Sequence, residues 1–210
     1  MSHASSCPFP SYLALPSLHI SGCTITGCGE DGIYAGSTGD VKQWGGITDN
    51  IIYGNAQSGI NLGEVSHSVV EGNICKDNTR HGIFLTNCDW FTVDDNITFA
   101  NGGGSQTYDG IHLAAGCEFN VITGNVCQGN ATSRRGISVH DNGNTVSNNM
   151  CSLNDYQGIY VSGADCIITG NTCYDNSQHA AGSYGEINVG SDGDRCVVSN
   201  NHCSSPGDSS

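Results

Sequence analysis

A chain of 210 residues with a formal net charge of −14, only 12% charged residues and 30 glycines is too poor in Glu, Lys and Arg to be a helical protein. The acidic balance excludes nucleic acid and an acidic membrane surface as partners. No apolar run of about 18 residues is present to span a bilayer, and no basic stretch followed by an apolar core marks a signal peptide near the N-terminus.

Residues 1–17 hold three prolines, Pro8, Pro10 and Pro16, which break regular structure, so this segment is expected to be an N-terminal extension or end cover. A repeat then runs over residues 18–203. Val121-Ile-Thr-Gly-Asn-Val-Cys127 leads to Gly136-Ile-Ser-Val139, and the same pattern recurs from Val146 to Val161 and from Ile168 to Val189. The Gly-Ile marks fall at Gly32, Gly59, Gly82, Gly110, Gly136 and Gly158, with spacings of 27, 23, 28, 26 and 22 residues. A period of about 20–30 residues with variable loops is the signature of a solenoid. Each turn reads as three short strands with alternating apolar residues and no helical spacing. The expected fold is all-β: a right-handed, single-stranded parallel β-helix of about eight coils. Residues 204–210 form a short tail.

This pattern resembles the parallel β-helix repeat family, the pectate-lyase-like superfamily that includes alginate epimerases and phage tailspikes. The resemblance implies the scaffold, covers about Leu18 to Cys203, and says little about activity. Stacked turns predict two asparagine ladders. One is Asn50, Asn73, Asn96, Asn125, Asn149, Asn171 and Asn201. The other is Asn55, Asn78, Asn101, Asn130, Asn154 and Asn176. Asn suits tight-turn dihedrals and bonds to its copies above and below. The sequons at Asn96 and Asn130 fall in these ladders and would be poor glycosylation acceptors. An inward stack of Ile25, Ile52, Cys75, Thr98, Cys127, Cys151, Cys173 and Cys203 uses cysteine as a small hydrophobe, so thiols are expected there. Cys88 with Cys117, and Cys166 with Cys196, are the better disulfide candidates. No Cys-x-x-Cys pair suggests zinc.

In this family the working face is usually the sheet carrying the Gly-Ile-x-Val/Leu strands. Alternation places Tyr34, Asn61, Phe84, His112, Ser138, Tyr160 and Asn188 outward on it. One residue before each Gly lie Asp31, Ser58, His81, Asp109, Arg135 and Gln157. The middle turns therefore gather Arg80, His81, Phe84, Tyr108, Asp109, His112, Arg134, Arg135, His140, Asp141 and Tyr160. Three of the chain's six Lys and Arg residues are among them. Scarce cations on one face of an acidic protein suit an anionic or hydroxylated sugar, and Phe84, Tyr108 and Tyr160 suit stacking on sugar rings. Asp109 and Asp141 could form an acid/base pair for glycoside hydrolysis. Arg135 or His112 could instead abstract a proton beside a uronate carboxylate that an arginine neutralises. The competing reading is a solvated sheet with scattered ion pairs.

Tyr108-Asp-Gly-Ile-His-Leu113 resembles a polygalacturonase Asp-Gly-Ile segment, but that family's further aspartates, Gly-His-Gly and Arg-Ile-Lys are missing, as is the Asp-Pro-His of alginate epimerases. No cofactor is required. Calcium is an option at Asp94-Asp95 or Asp192-Gly-Asp194. Gly102-Gly103-Gly104 lies in the longest middle loop, a candidate cleft wall. The expected function is an extracellular or cell-surface β-helix that acts on or binds a polysaccharide, as lyase, hydrolase or epimerase. The alternative is a non-catalytic structural module, or a piece of a larger fibre or tailspike. A coil with open ends also predicts self-association, end to end or as a trimer.

Overall fold

The structure is a computed structural model that describes residues 19–36, 45–103, 108–130, 134–179 and 184–204. The expected extension, residues 1–17, lies outside them, as do Leu18, Gly104 and residues 205–210. Ser204, assigned above to the tail, ends the last strand. Every regular element among the described residues is a short strand, and no helix there is long and apolar enough to cross a membrane.

The strands form three parallel sheets of eight, eight and seven members. The first runs from His19–Ser21 to Val197–Ser199, the second from Thr24–Thr26 to His202–Ser204, and the third from Ile33–Gly36 to Ile187–Val189. Each strand pairs only with its copies one turn away, and the chain visits the three sheets in rotation. This is the expected three-sided parallel β-helix. The count of about eight coils is slightly high: seven strands in the third sheet leave only six full rises between its first and last members.

The local reasons are repeated in each turn. First- and second-sheet strands meet at a corner whose leading residue has a left-handed backbone. Gly124 (φ 64°), Asn148 (φ 56°) and Gly170 (φ 68°) are examples. The ladder asparagine follows one position later. Its presence therefore owes less to turn dihedrals than expected and more to its amide. Asn125 accepts the Asn96 backbone N–H at 3.0 Å and donates to the Val93 carbonyl at 2.8 Å and Asn149 Oδ1 at 2.9 Å. These bonds satisfy corner backbone groups that no strand can reach. The second ladder behaves alike and ends on Glu186, which accepts from both the backbone and the side chain of Asn176. Burial raises the Glu186 carboxyl above its usual range against the pull of those bonds.

The core is the stack of inward residues. Ile52, Cys75, Thr98, Cys127, Cys151 and Cys173 are register partners on successive strands and wholly buried. All are thiols where cysteine occurs, as expected. The predicted bridges are not formed: Cys88, Cys117, Cys166 and Cys196 are free thiols. All four lie at corners just outside the strands, and Cys88 and Cys117 meet as hydrogen-bonded thiols.

The glycine of each Gly-Ile mark permits the tight coil. A methyl group on Gly110 would lie 2.7 Å from both the Gly136 carbonyl oxygen and Asn130 Nδ2. Only a hydrogen fits between the third sheet and the second ladder.

Candidate functional site

The third sheet presents the expected outward column. Phe84, His112, Ser138 and Tyr160 are register partners across four strands. Their ring neighbours extend the row: His81 stacks on Phe84 at 5.0 Å and meets the edge of Tyr108 at 5.1 Å. His112 lies 4.7 Å from His81 and 4.9 Å from His140, and His140 lies 5.7 Å from Tyr160. Arg80 sits 5.8 Å from the centre of the Tyr108 ring, and Arg135 sits 4.0 Å over that of Tyr160.

The centre of this row is a hydrogen-bonded trio. Asp109 is wholly buried just ahead of the Ile111–Leu113 strand, and His112 faces out from that strand. Asp109 Oδ2 lies 2.6 Å from His112 Nδ1, and Asp109 Oδ1 accepts the Arg135 backbone N–H at 3.1 Å. The Asp109 backbone N–H donates to His81 Nδ1 at 3.0 Å. Burial pushes the Asp109 carboxyl up, but the His112 bond, electrostatic attraction to the neighbouring imidazoles and the Arg135 N–H outweigh it. The net shift is downward, so the group is a carboxylate. A carboxylate only accepts, so His112 Nδ1 is the donor in this bond and Nε2 is the ring nitrogen left for another partner.

The flanking imidazoles differ. Burial, helped by the charge on His112, pulls His81 down to about 3. Burial and His112 likewise lower His140 to about 4. Both rings are neutral at physiological pH. His140 is held by two hydroxyls, Ser138 Oγ at 2.9 Å from Nε2 and Ser162 Oγ at 3.2 Å from Nδ1. Arg135 donates from Nε to Gln157 Oε1 at 3.0 Å, which fixes its guanidinium over Tyr160. Arg134 Nε is buried with no hydrogen-bond partner, and its charge acts on His81, Arg135 and His140.

Asp141 stands apart from this group. Its Oδ2 accepts the Gly116 N–H at 2.8 Å and its Oδ1 the Asn142 N–H at 2.9 Å, so both oxygens hold the corner after the third sheet. Sequence reading passed over the supports: Gln157, Ser162, and the Tyr156–Tyr184 pair, whose rings are 4.2 Å apart. Gln157 was visible one residue before a Gly mark, but its tie to Arg135 depends on side-chain geometry across a rung.

His81, Asp109 and His112 are also the one group of three or more metal-ligating side chains found among the described residues, with donor atoms within 4.8 Å of one another. As arranged they do not suit a metal. His81 accepts at Nδ1, so its neutral ring carries the proton on Nε2. Both Asp109 oxygens are engaged. Only His112 Nε2 is free. The acid pairs considered for calcium, Asp94-Asp95 and Asp192 with Asp194, gather no third carboxylate, histidine or cysteine.

Residues 16–133 match the family described as right handed beta helix region, and residues 95–208 match the family described as periplasmic copper-binding protein (NosD). The tail spike protein of Salmonella phage epsilon15 is 35% identical over 119 residues, 49% of this chain and 11% of that protein. Among solved structures, the periplasmic alginate epimerase AlgG aligns with a TM-score of 0.69 at 21% identity over 85% of this chain and 43% of its own. The A-module of the Azotobacter vinelandii mannuronan C-5 epimerase AlgE4 aligns with a TM-score of 0.64 at 18% identity, over 83% and 59%. The chain thus spans less than two thirds of each relative, and at these identities the two epimerases share its fold. The two matches overlap over residues 95–133 and each covers more than half of the chain, so this chain belongs to the right-handed β-helix family, and its residues 95–208 belong to the NosD family.

Proposed function

We propose that the chain is a carbohydrate-acting β-helix that seats an acidic polysaccharide along the outward face of the third sheet. The observation that carries this reading is the Asp109–His112 pair, set among the rings of His81, Phe84 and His140 in a row that has Arg80 against Tyr108 and Arg135 over Tyr160. In this role His112 is the general base that removes the proton beside a uronate carboxylate. Asp109 orients it and stabilises the imidazolium. Arg134 and Arg135 neutralise the substrate carboxylate. Arg80, His81, Phe84, Tyr108, His140 and Tyr160 line the path of the sugar chain. Proton abstraction is favoured over hydrolysis because Asp109 and Asp141 both have their oxygens engaged, which leaves no free carboxylate pair. The alginate epimerases named above and an extracellular or periplasmic setting accord with this reading. Incubation with alginate, pectate and neutral glycans tests it. Ultraviolet-absorbing unsaturated ends identify a lyase, and solvent deuterium entering C5 identifies an epimerase. New reducing ends without either product, or no turnover of any acidic glycan, would sink it.

A second reading concerns assembly. The second sheet carries an in-register apolar column in which Ile51, Ile97 and Met150 are exposed and Ile74 and Val126 half-buried. Such a column suits lateral association of copies, as in a tailspike-like trimer. Sedimentation at high concentration tests it, and a single monomeric species would exclude it.

A further inference from the structure

The rungs of the third sheet do not share their charge evenly. The rung that opens at Gly82 is preceded by Arg80 and His81, and the rung at Gly136 by Arg134 and Arg135. The rung between them, at Gly110, is preceded by Tyr108 and Asp109, and the one that follows, at Gly158, by Tyr156 and Gln157. Backbone bonds tie this edge together from turn to turn. The Gly82 N–H donates to the Asp109 carbonyl at 3.3 Å, the Gly110 N–H to that of Arg135 at 3.1 Å, and the Gly136 N–H to that of Gln157 at 3.1 Å. Among the described residues no other lysine or arginine joins this face. Lys76 ends a second-sheet strand, and Arg195 is paired with Asp165 just ahead of a first-sheet strand. The segments 104–107, 131–133 and 180–183, which lead into this edge of the coil, contain no charged residue. Burial keeps His81 and His140 neutral at physiological pH.

Arginine therefore recurs on alternate rungs, about 10 Å apart. The rung between holds the Asp109 carboxylate. The rung after holds an amide, Gln157, and two phenols, Tyr156 and Tyr160. Tyr184, from one turn further on, lies 4.2 Å from Tyr156 ring to ring and shares a side-chain hydrogen bond with it. That end of the face presents phenols and carries no cation. Arg134 Nε, buried with no hydrogen-bond partner, leaves bonding capacity on the arginine rung.

An extended glycan lying along this row advances by a similar step per sugar. A homopolyuronate would bring a carboxylate to every rung. One would fall on the rung of the Asp109 carboxylate and another on the rung of Tyr156, with no arginine to neutralise either. Like charges and unpaired desolvated charges both weaken binding. A chain with a carboxylate on every second sugar meets an arginine each time. Its neutral sugars fall on the rungs of Tyr108 and Tyr156, whose rings offer apolar faces and whose hydroxyls bond to sugar hydroxyls.

On the polysaccharide reading above, we infer that this face is built for an acidic heteropolysaccharide in which uronates alternate with neutral sugars, and not for a homopolyuronate. Arg80 and the Arg134–Arg135 pair take carboxylates two sugars apart. Tyr156 with Tyr184 forms a subsite for the neutral sugar next to the reacting uronate.

The test compares tetrasaccharides on the full chain by isothermal titration calorimetry at one ionic strength. Mannuronate, guluronate and galacturonate tetramers represent the homopolyuronates. Tetramers of hyaluronan, heparosan and the rhamnogalacturonan backbone represent alternating chains. The best alternating tetramer should bind at least about tenfold more tightly than the best homopolymer, although it carries half as many carboxylates. Tyr156→Arg, which puts a cation on the rung that lacks one, should narrow that gap at least about threefold. A homopolyuronate that binds as tightly as the best alternating tetramer, or a gap that Tyr156→Arg leaves unchanged, would overturn the proposal while leaving the polysaccharide reading intact. A preference for alternating tetramers with no turnover of any acidic glycan would uphold the proposal and sink the proton abstraction. No binding of any acidic tetramer would overturn both. The comparison on the unsubstituted chain stands even if Tyr156→Arg folds poorly.

Discussion

The buried carboxylate of Asp109 holds Nδ1 of His112 at 2.6 Å, from three residues earlier on the same turn. The pairing fixes which imidazole nitrogen faces outward, and so which can take a substrate proton. Asp109→Asn keeps the shape and the acceptor for the Arg135 N–H, but it removes the charge that stabilises a protonated His112. If the site abstracts a proton, turnover of the acidic glycan should fall at least about 100-fold, with KM changed much less. His112→Gln should fall as far. Arg135→Gln should act mainly on KM and on the preference for carboxylated over neutral glycans. Steady-state kinetics on the glycan that gives turnover checks all three. Unchanged rates in Asp109→Asn and His112→Gln would place the chemistry elsewhere.

Acid should destabilise the coil through His81. Its folded pKa of about 3 lies below the usual value of 6.5, because burial disfavours its charged form. The unfolded chain therefore binds more protons than the folded one between those values. Stability is fully present above about 6.5 and is lost as pH falls, by up to about 1.4 kcal/mol per pH unit. Asp109, also lowered, adds a loss in the same direction at still lower pH. His81→Asn offers an acceptor for the Asp109 N–H without an ionisable ring. The drop in urea midpoint from pH 7 to pH 4.5 should be clearly smaller in this variant than in the parent chain. An equal drop in both would show that His81 is protonated in the folded state.

The Gly-Ile mark makes a prediction about packing. A methyl group on Gly110 would lie 2.5 Å from Thr98 Oγ1 and 2.7 Å from both Asn130 Nδ2 and the Gly136 carbonyl oxygen. Two of these three belong to the ladder and backbone that set the rung spacing, and backbone cannot move aside cheaply. Gly110→Ala should cost about 1–3 kcal/mol. Gly29, where an added methyl group meets nothing within 4 Å, is the control, and Gly29→Ala should stay within about 0.5 kcal/mol of the parent. Urea unfolding of both variants is the measurement, and equal losses would mean that the contacts at Gly110 relax freely.

The coil was legible because its physics repeats. Asn125, Asn149 and Asn171 each meet the same need at the same corner, so even spacing revealed both long ladders. A third, shorter ladder escaped notice. Asn120 accepts the Phe91 N–H and donates to Asn144, but Phe91 precedes and Cys166 follows the two at that corner, so no run of asparagines marks it. The outward face was legible only in part. Strand alternation placed Phe84, His112 and Tyr160 in one column. It could not show that Asp141 grips the Gly116 and Asn142 N–H groups, or that Gln157 steers Arg135. Those ties depend on loops of unequal length reaching across a rung, and a linear pattern does not carry that information. The unformed bridges show the same limit: matched position brings Cys88 beside Cys117, yet both remain thiols.

Thr98 is the one polar interruption in the buried stack between Ile52 and Cys173, and its Oγ1 has no hydrogen-bond partner. A buried hydroxyl left unsatisfied costs about 1–3 kcal/mol, and replacing it with an apolar group of the same shape recovers part of that. Valine keeps the branched outline and the strand preference of threonine. Thr98→Val should therefore stabilise the chain by on the order of 1 kcal/mol, with a higher urea midpoint and an unchanged m-value. Thr98→Ala is the contrasting variant: it removes the hydroxyl but also a methyl group, and the resulting void should reduce or reverse the gain. If valine destabilises the chain as much as alanine does, the hydroxyl has a partner in solution, such as an ordered internal water, and the dry stack described here is wetter than its packing implies.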